Sequence, residues 1–417
     1  MALHSGGVVG SQCVGDIAYM FRQRPIWLAC AVLLGLFALV AVSERTYLMR
    51  YIAFEGDPLT LPLSWYDPLE PVPGNKTDDL PVAAAGERTI AQHALDQAAA
   101  YAEGQKSQSL IIVHKGVIQT EHYWNGAERG TIFNPQSMSK SVLAMLMGIA
   151  IADGAIESVA DPIGKYIGEW RDDPRGEATV QDALWMAAGL EQIATSYEVS
   201  FLDRGSRYNF GEDFNGMIFD LEQVDPPGTT FDYNNEETNL LGIVIERATG
   251  RRYADYLSEK LWRPLGLADA TMFLDRPGGA VMKSCCIFSR PYDWAKLGQL
   301  VLNKGTWSGT QIVSADWIRE MTVPSPLADH YGYLVWLGSG FILPGDFTPP
   351  KALGLRAPEG FVSDDMVTFL GYGGQRVWIS AADDLVIVRG TTEWAPEWVE
   401  SAIPNIIVRA LHPDTAP

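Results

Sequence analysis

The chain is expected to be an α+β protein: an antiparallel sheet flanked by helices, with an inserted all-α region and a transmembrane helix ahead of it. Three observations predict this. Strand-like runs occur near residues 109–124 and again from about 331 to 389, while most of the chain between them has helical periodicity. Turn chemistry joins neighbouring runs on each side, at Lys115-Gly116 and at Ala382-Asp383-Asp384. Ahead of both lies an uncharged apolar stretch, Pro25 to Val42.

Taken in order, residues 1–24 are a short leading segment, expected to be cytoplasmic. Residues 25–42 are long enough, as a helix, to span a hydrocarbon core of about 30 Å. They are read as a transmembrane anchor; a cleaved signal ending near Ala41-Val42-Ser43 and a buried core helix are the alternatives. Arg22 and Arg24 precede the stretch and Arg45 and Arg50 follow it, so charge barely biases its orientation. Residues 43–85 carry six prolines and read as an extended connector. Tyr51, Phe54, Trp65 and Tyr66 suggest that this connector packs on something.

Residues 86–417 form the main domain. Glu87 to Glu103 has a helical stripe of Ile90, Ala94, Ala98 and Tyr101, with Gly104 suited to its end. Ser109–His114 and Val117–Trp124 form a hairpin. Helical segments follow at Ser137–Ile151, Pro162–Trp170, Val180–Ala188, Glu236–Thr249 and Tyr253–Leu261, all within an insertion of about 136–278. Strands return at Tyr331–Leu337, Met366–Leu370, Arg376–Ser380 and Leu385–Arg389. A last helix runs from about Pro396 to Leu411, shortened or kinked by Pro404.

Composition narrows the partners. Hydrophobic residues at 47% and charged residues at 20% of 417 describe an ordinary globular protein. A formal net charge of −20 excludes a nucleic-acid binder, which needs clustered Lys and Arg. No His/Cys spacing resembles a metal site, and no metal or organic cofactor is implied. Cys285 and Cys286 are adjacent and would bridge only with backbone strain, so they read as buried apolar filler.

The chemistry centres on Asn134-Pro135-Gln136-Ser137-Met138-Ser139-Lys140. Ser137 and Lys140, three apart at a helix start, share a face, which sets a hydroxyl beside an amine able to take its proton. Tyr233-Asn234-Asn235 stands directly before the helical run from Glu236. Gly371-Tyr372-Gly373-Gly374-Gln375 lies between two strand-like runs. Tyr123-Trp124-Asn125 also reads Tyr-x-Asn, but it precedes Ser137 and ends a hairpin strand. Further family-like stretches are Thr179–Met186, Asp293–Leu300 and Tyr331–Trp336.

This order of Ser-x-x-Lys, Tyr-x-Asn and a late glycine-rich strand resembles the serine β-lactamase-like hydrolases: class C β-lactamases, DD-peptidases, esterases and nylon-oligomer hydrolases. The resemblance covers about residues 86–411. It implies a β-lactamase/transpeptidase-like fold with the active site between sheet and helical insertion, and a catalytic domain facing outward, which the apolar stretch at residues 25–42 would anchor in the membrane. It also implies an acyl-enzyme on Ser137, with Lys140 and Tyr233 moving the proton and the phenol held partly ionised. Asn235 would orient the lysine and the substrate amide. The Gln375 N–H, beside Gly374, would join that of Ser137 as an oxyanion hole. Tyr372 departs from the family, whose β-lactamases carry Lys there, so a neutral small amide or ester is the expected substrate. The alternatives are a β-lactamase or DD-peptidase acting on cell-wall-type peptides, and a catalytically silent binding relative. Oligomeric state is not legible in the sequence.

Overall fold

The computed structural model describes residues 28–35, 42, 44–193, 200–211, 213–338 and 359–413. The chain falls into two compact units, Met1–Ala53 and Phe54–Pro417. In the first, helix α1 (Arg45–Ile52) sets the rings of Tyr47 and Tyr51 6.0 Å apart.

The expected transmembrane helix is corrected here. Among the described residues no helix is long and apolar enough to cross a membrane. The described helical stretch in that region, residues 28–35, is eight residues long. At about 1.5 Å per residue it covers roughly 12 Å of a hydrocarbon core about 30 Å thick. Residues 25–27 and 36–41 lie outside the described residues. Neither the anchor nor the membrane association drawn from it is supported.

The second unit has the expected α+β plan. Strand β1 (Leu69–Val72) belongs to the connector, helix α2 (Gln92–Gly104) follows, and β2 (Ser107–His114) and β3 (Val117–Tyr123) form the hairpin. Next come α3 (Ser139–Ala152), α4 (Val180–Leu184), α5 (Arg204–Asn209), α6 (Phe214–Phe219), α7 (Asn235–Thr249) and α8 (Tyr253–Leu257). Two short strands, β4 (Ala270–Phe273) and β5 (Ile287–Phe288), lead to α9 (Pro291–Leu302), the β6–β7 ribbon (Thr306–Trp307, Thr310–Gln311) and α10 (Ala315–Met321). The chain closes with β8 (Trp336–Leu337), β9 (Val367–Gly371), β10 (Gln375–Ser380), β11 (Leu385–Thr391) and α11 (Ala402–Leu411).

Among the described residues the main sheet is antiparallel with order β3-β2-β11-β10-β9-β8, so strands from both ends of the domain meet at β2 and β11. Its central strands are β-branched runs, Ile111-Ile112-Val113 and Val386-Ile387-Val388, and all six residues are fully buried. Alternation decides what covers each face. Val377 and Val386 point to α9, where Gly298 admits them: a Cβ there would stand 2.6 Å from Val386 and 2.9 Å from Val377. Trp378 points the other way, onto Trp398, whose ring is 5.9 Å from Tyr101 of α2.

The connector is more ordered than an extended linker. Its β1 pairs with β4, Leu69 opposite Phe273, and Trp65 and Tyr66 pack edge-on against Phe210 and Phe273. Several expected helices are shorter than the sequence suggests. Thr179 and Asp182 form a capping box that starts α4, but Met186 turns into the left-handed region just beyond it. Pro162–Trp170 resolves into two 3-10 turns rather than one helix. Pro404 sits in the first turn of α11, where its missing N–H is no loss.

Arg376 of β10 and Glu400 are both fully buried and bonded twice, at 2.5 and 2.8 Å. Glu400→Ala leaves a buried guanidinium without its counter-charge, and should cost about 3–5 kcal/mol of folding stability. Denaturant unfolding measures this; a loss under about 1 kcal/mol would refute that account of the pair.

Candidate active site

Ser137 stands on a tight 3-10 turn, Gln136–Met138, that runs directly into α3. Gln136 takes a left-handed φ of 53°, uncommon for a residue with a Cβ. Asn134 steadies that turn, its Oδ1 accepting from the Gln136 N–H at 2.9 Å and its Nδ2 donating to the Tyr66 hydroxyl at 3.0 Å. Ser137 is partly exposed, whereas every residue from Met138 to Ala150 is buried.

Lys140 is 1% exposed. Its Nζ donates to Ser137 Oγ at 3.0 Å, Asn235 Oδ1 at 2.7 Å and the Ser284 carbonyl at 2.9 Å. All three oxygens are neutral. Burial pulls the amine down to about 7, opposed by the nearby Glu236 carboxylate.

Tyr233 lies on the approach to α7, with Lys140 Nζ 5.1 Å from its ring centre. The ring is half-buried against Trp336 at 5.4 Å and Tyr331 at 6.2 Å. Its shielded phenol oxygen lies beside Ser137, in a geometry looser than a normal hydrogen bond. Burial pushes the phenol up to about 12, against smaller opposing pulls from Ser137 and the Arg376 guanidinium. This direction runs against the partly ionised phenol that the family resemblance implies.

Asn234, the middle residue of Tyr-Asn-Asn, is the N-cap of α7. Its Oδ1 accepts from Glu236 N at 2.8 Å and Glu237 N at 3.3 Å, and its Nδ2 donates to the Leu190 carbonyl at 2.9 Å. The sequence reading passed over this residue, although Asn before Glu-Glu is a helix-start signature. It also missed Ser284, which acts through a backbone carbonyl and so leaves no side-chain signal. Asn239 of α7 fixes that segment, accepting from Lys283 N at 2.7 Å and Ser284 N at 3.1 Å. Cys285 and Cys286 beside it are joined by a disulfide, which corrects their reading as filler.

Of the glycine-rich stretch, Gly371 packs against the Ser137 turn: a Cβ there would stand 2.3 Å from the Pro135 carbonyl. Tyr372 is half-buried and stacks on Trp394 at 5.7 Å. Gly374 adopts a φ of 92°, with its carbonyl accepting from Arg389 at 2.7 Å. The buried Gln375 side chain exchanges two bonds with the Thr391 backbone, at 2.6 and 2.9 Å. Ser137, Lys140, Tyr233 and Asn235 thus converge directly. The contacts of Tyr372, Gly374 and Gln375 given above run to neighbouring segments. Among the described residues no group of three or more His, Cys, Asp or Glu could hold a metal ion.

With this geometry in view, the chain was compared with known proteins. The Beta-lactamase family model matches residues 94–408, so the chain belongs to that family. It is 25% identical over 298 residues to the 6-aminohexanoate-dimer hydrolase of Paenarthrobacter ureafaciens, covering 68% of this chain and 72% of that one. A Bacillus anthracis protein assigned as a 6-aminohexanoate-dimer hydrolase superposes with a TM-score of 0.63 at 20% identity, over 84% of this chain and 90% of the other. A β-lactamase from Mycobacterium bovis does so with a TM-score of 0.54 at 17% identity, over 76% of this chain and all of the other. The protein is a serine hydrolase of the β-lactamase-like fold.

Asn234→Ala removes the cap of α7 and should cost about 0.5–2 kcal/mol, whereas Asn234→Asp keeps the accepting oxygen and should lose less. Thermal unfolding of the two variants separates capping from a general packing effect.

Proposed function

We propose that the protein hydrolyses small amides or esters through an acyl-enzyme on Ser137, with Lys140 as base and Tyr233 as proton donor. The observation that carries this is the set of three acceptors around Lys140 Nζ. A neutral amine has two N–H groups and one lone pair. The Asn235 and Ser284 carbonyl oxygens can only accept, so they take the two N–H groups. The lone pair is then left facing Ser137 Oγ, which can deliver its proton along that 3.0 Å line. Lys140 takes the Ser137 proton as Oγ attacks the substrate carbonyl. The Ser137–acyl bond forms as the bond to the amine or alcohol breaks, Tyr233 gives its proton to that departing group, and the Lys140 ammonium returns a proton to the phenol. Water releases the acyl group.

An amide is supported by the kinship with 6-aminohexanoate-dimer hydrolase. The Gln375 N–H with that of Ser137 is proposed as the oxyanion hole. Tyr372, where β-lactamases carry lysine, supports a substrate without a carboxylate at that end.

A serine-reactive phosphonate should label one residue, Ser137, and Ser137→Ala should abolish both labelling and turnover in a folded protein. Label on another serine would overturn the mechanism. The sign of the pH dependence follows from Lys140: below about 7 the amine is protonated and cannot act as base. The kcat/KM profile should therefore rise with pH through that region and level off above it, and Lys140→Ala should lose the limb with most of the rate. A profile flat from pH 5 to 9 would exclude this base. Penicillins should be poor substrates beside p-nitrophenyl esters, by about tenfold to hundredfold, since a charge-assisted contact is worth about 1.5–3 kcal/mol. Tyr372→Lys should narrow that gap, and efficient penicillin turnover by the unaltered protein would return the β-lactamase reading.

A further inference from the structure

We propose that the Cys285–Cys286 disulfide is a positioning element for Lys140, acting through the Ser284 carbonyl. The inference rests on Lys140 being the base. Ser284 comes 144 residues after Lys140, yet its carbonyl takes one of the amine's N–H groups at 2.9 Å. It must stay there, because an unoccupied N–H is free to swing towards Ser137 and displace the lone pair.

The segment is held from both ends. Upstream, Asn239 receives the Lys283 and Ser284 N–H groups at 2.7 and 3.1 Å, and its Nδ2 stands 3.2 Å from Ser284 Oγ. This ties the segment to α7, the helix that carries Asn235. Downstream, Ile287 N donates to Ser139 Oγ at 3.2 Å, and Ile287 pairs with Met272 of β4. Ser139 is the neighbour of Lys140.

Between these anchors the chain must turn, and it does so at Cys286, with a φ of 72° that residues bearing a Cβ adopt rarely. Glycine is the usual solution to such a turn. Here the disulfide closes a small ring over ψ of Cys285 and φ of Cys286, which fixes the turn covalently. A relaxed Cys286 would redirect the chain between two pinned ends and draw the Ser284 carbonyl away from Nζ. Cys285 is half-buried and Cys286 buried, so reduction is followed by the thiol count and not assumed.

The test compares the whole protein, oxidised and after treatment with a dithiol. The reagent becomes a cyclic disulfide as the protein gains two thiols, and intact mass after alkylation counts them. The Cys285→Ser/Cys286→Ser double variant provides a second route. Opening the bond should slow phosphonate labelling of Ser137 and kcat for a p-nitrophenyl ester by about tenfold, with KM changed less than about twofold, because orientation of the base is lost rather than binding. Near-ultraviolet circular dichroism should remain native, and reoxidation should restore the rate. Equal rates in both states would overturn the inference alone, as would two alkylatable thiols in the untreated, active protein. Loss of tertiary signal together with activity would mean a merely structural bridge and would overturn it too. No labelling of Ser137 in the oxidised protein would remove the nucleophile assignment, and this inference with it.

Discussion

The site depends on an amine taken out of water and given neutral oxygens rather than a carboxylate. A surface lysine stays charged until pH is above 10, where a serine hydrolase gains little from it. Burial of Lys140, in the first turn of α3 beside the start of α7, disfavours the charged form, and the hydrogen bonds to Ser137, Asn235 and Ser284 organise what remains. Had the third partner been an ionised aspartate at bonding distance, the proton would stay on nitrogen.

Two carboxyls lie close to this requirement. Burial raises Glu236 to about 7 and Glu237 to about 8. Glu237 accepts from the Ala188 N–H, helping to fix the 186–190 segment beside α7. Glu236 and Lys140 influence one another: the carboxylate favours the ammonium, and the ammonium favours the carboxylate, against the burial of both. In one neutral combination the acid holds its proton and the amine is free. A permanently ionised Glu236 would hold Lys140 in the ammonium form, so the apolar setting of the carboxyl matters as much as that of the amine.

The parts legible in the sequence are those written in side chains or in periodicity. The hairpin, the late strands and the helices starting near Ser137 and Glu236 announce themselves through β-branched runs, turn residues and apolar stripes. Spacing brings out Ser137, Lys140, Tyr233 and Asn235, and these four converge. Other parts depend on long-range pairing or on the main chain. The pairing of β1 with β4 cannot be read from a proline-rich stretch. The Ser284 carbonyl has no residue type to betray it, and two adjacent cysteines do not say whether they are joined. Hydropathy alone suggested a span at residues 25–42, whereas among the described residues no helix is long and apolar enough to cross a membrane. The surroundings of the Tyr233 phenol are likewise not legible locally, because its ring packs on Tyr331 and Trp336, about a hundred residues away.

The topology has a bearing on how the protein is made. Strand β2 finds its partner β11 only when Leu385–Thr391 has been synthesised, since His114 stands opposite Leu385. Roughly 270 residues separate the two, and at about 5–20 residues per second the ribosome needs roughly 15–50 s to supply them. During that interval a hydrophobic hairpin edge waits unpaired, and the mostly apolar helix α3, which follows the Ser137 turn, waits without the late strands of the sheet. Such edges are templates for pairing with other chains. The yield of correctly folded enzyme therefore depends on what shields residues 107–152 while the rest of the polypeptide emerges.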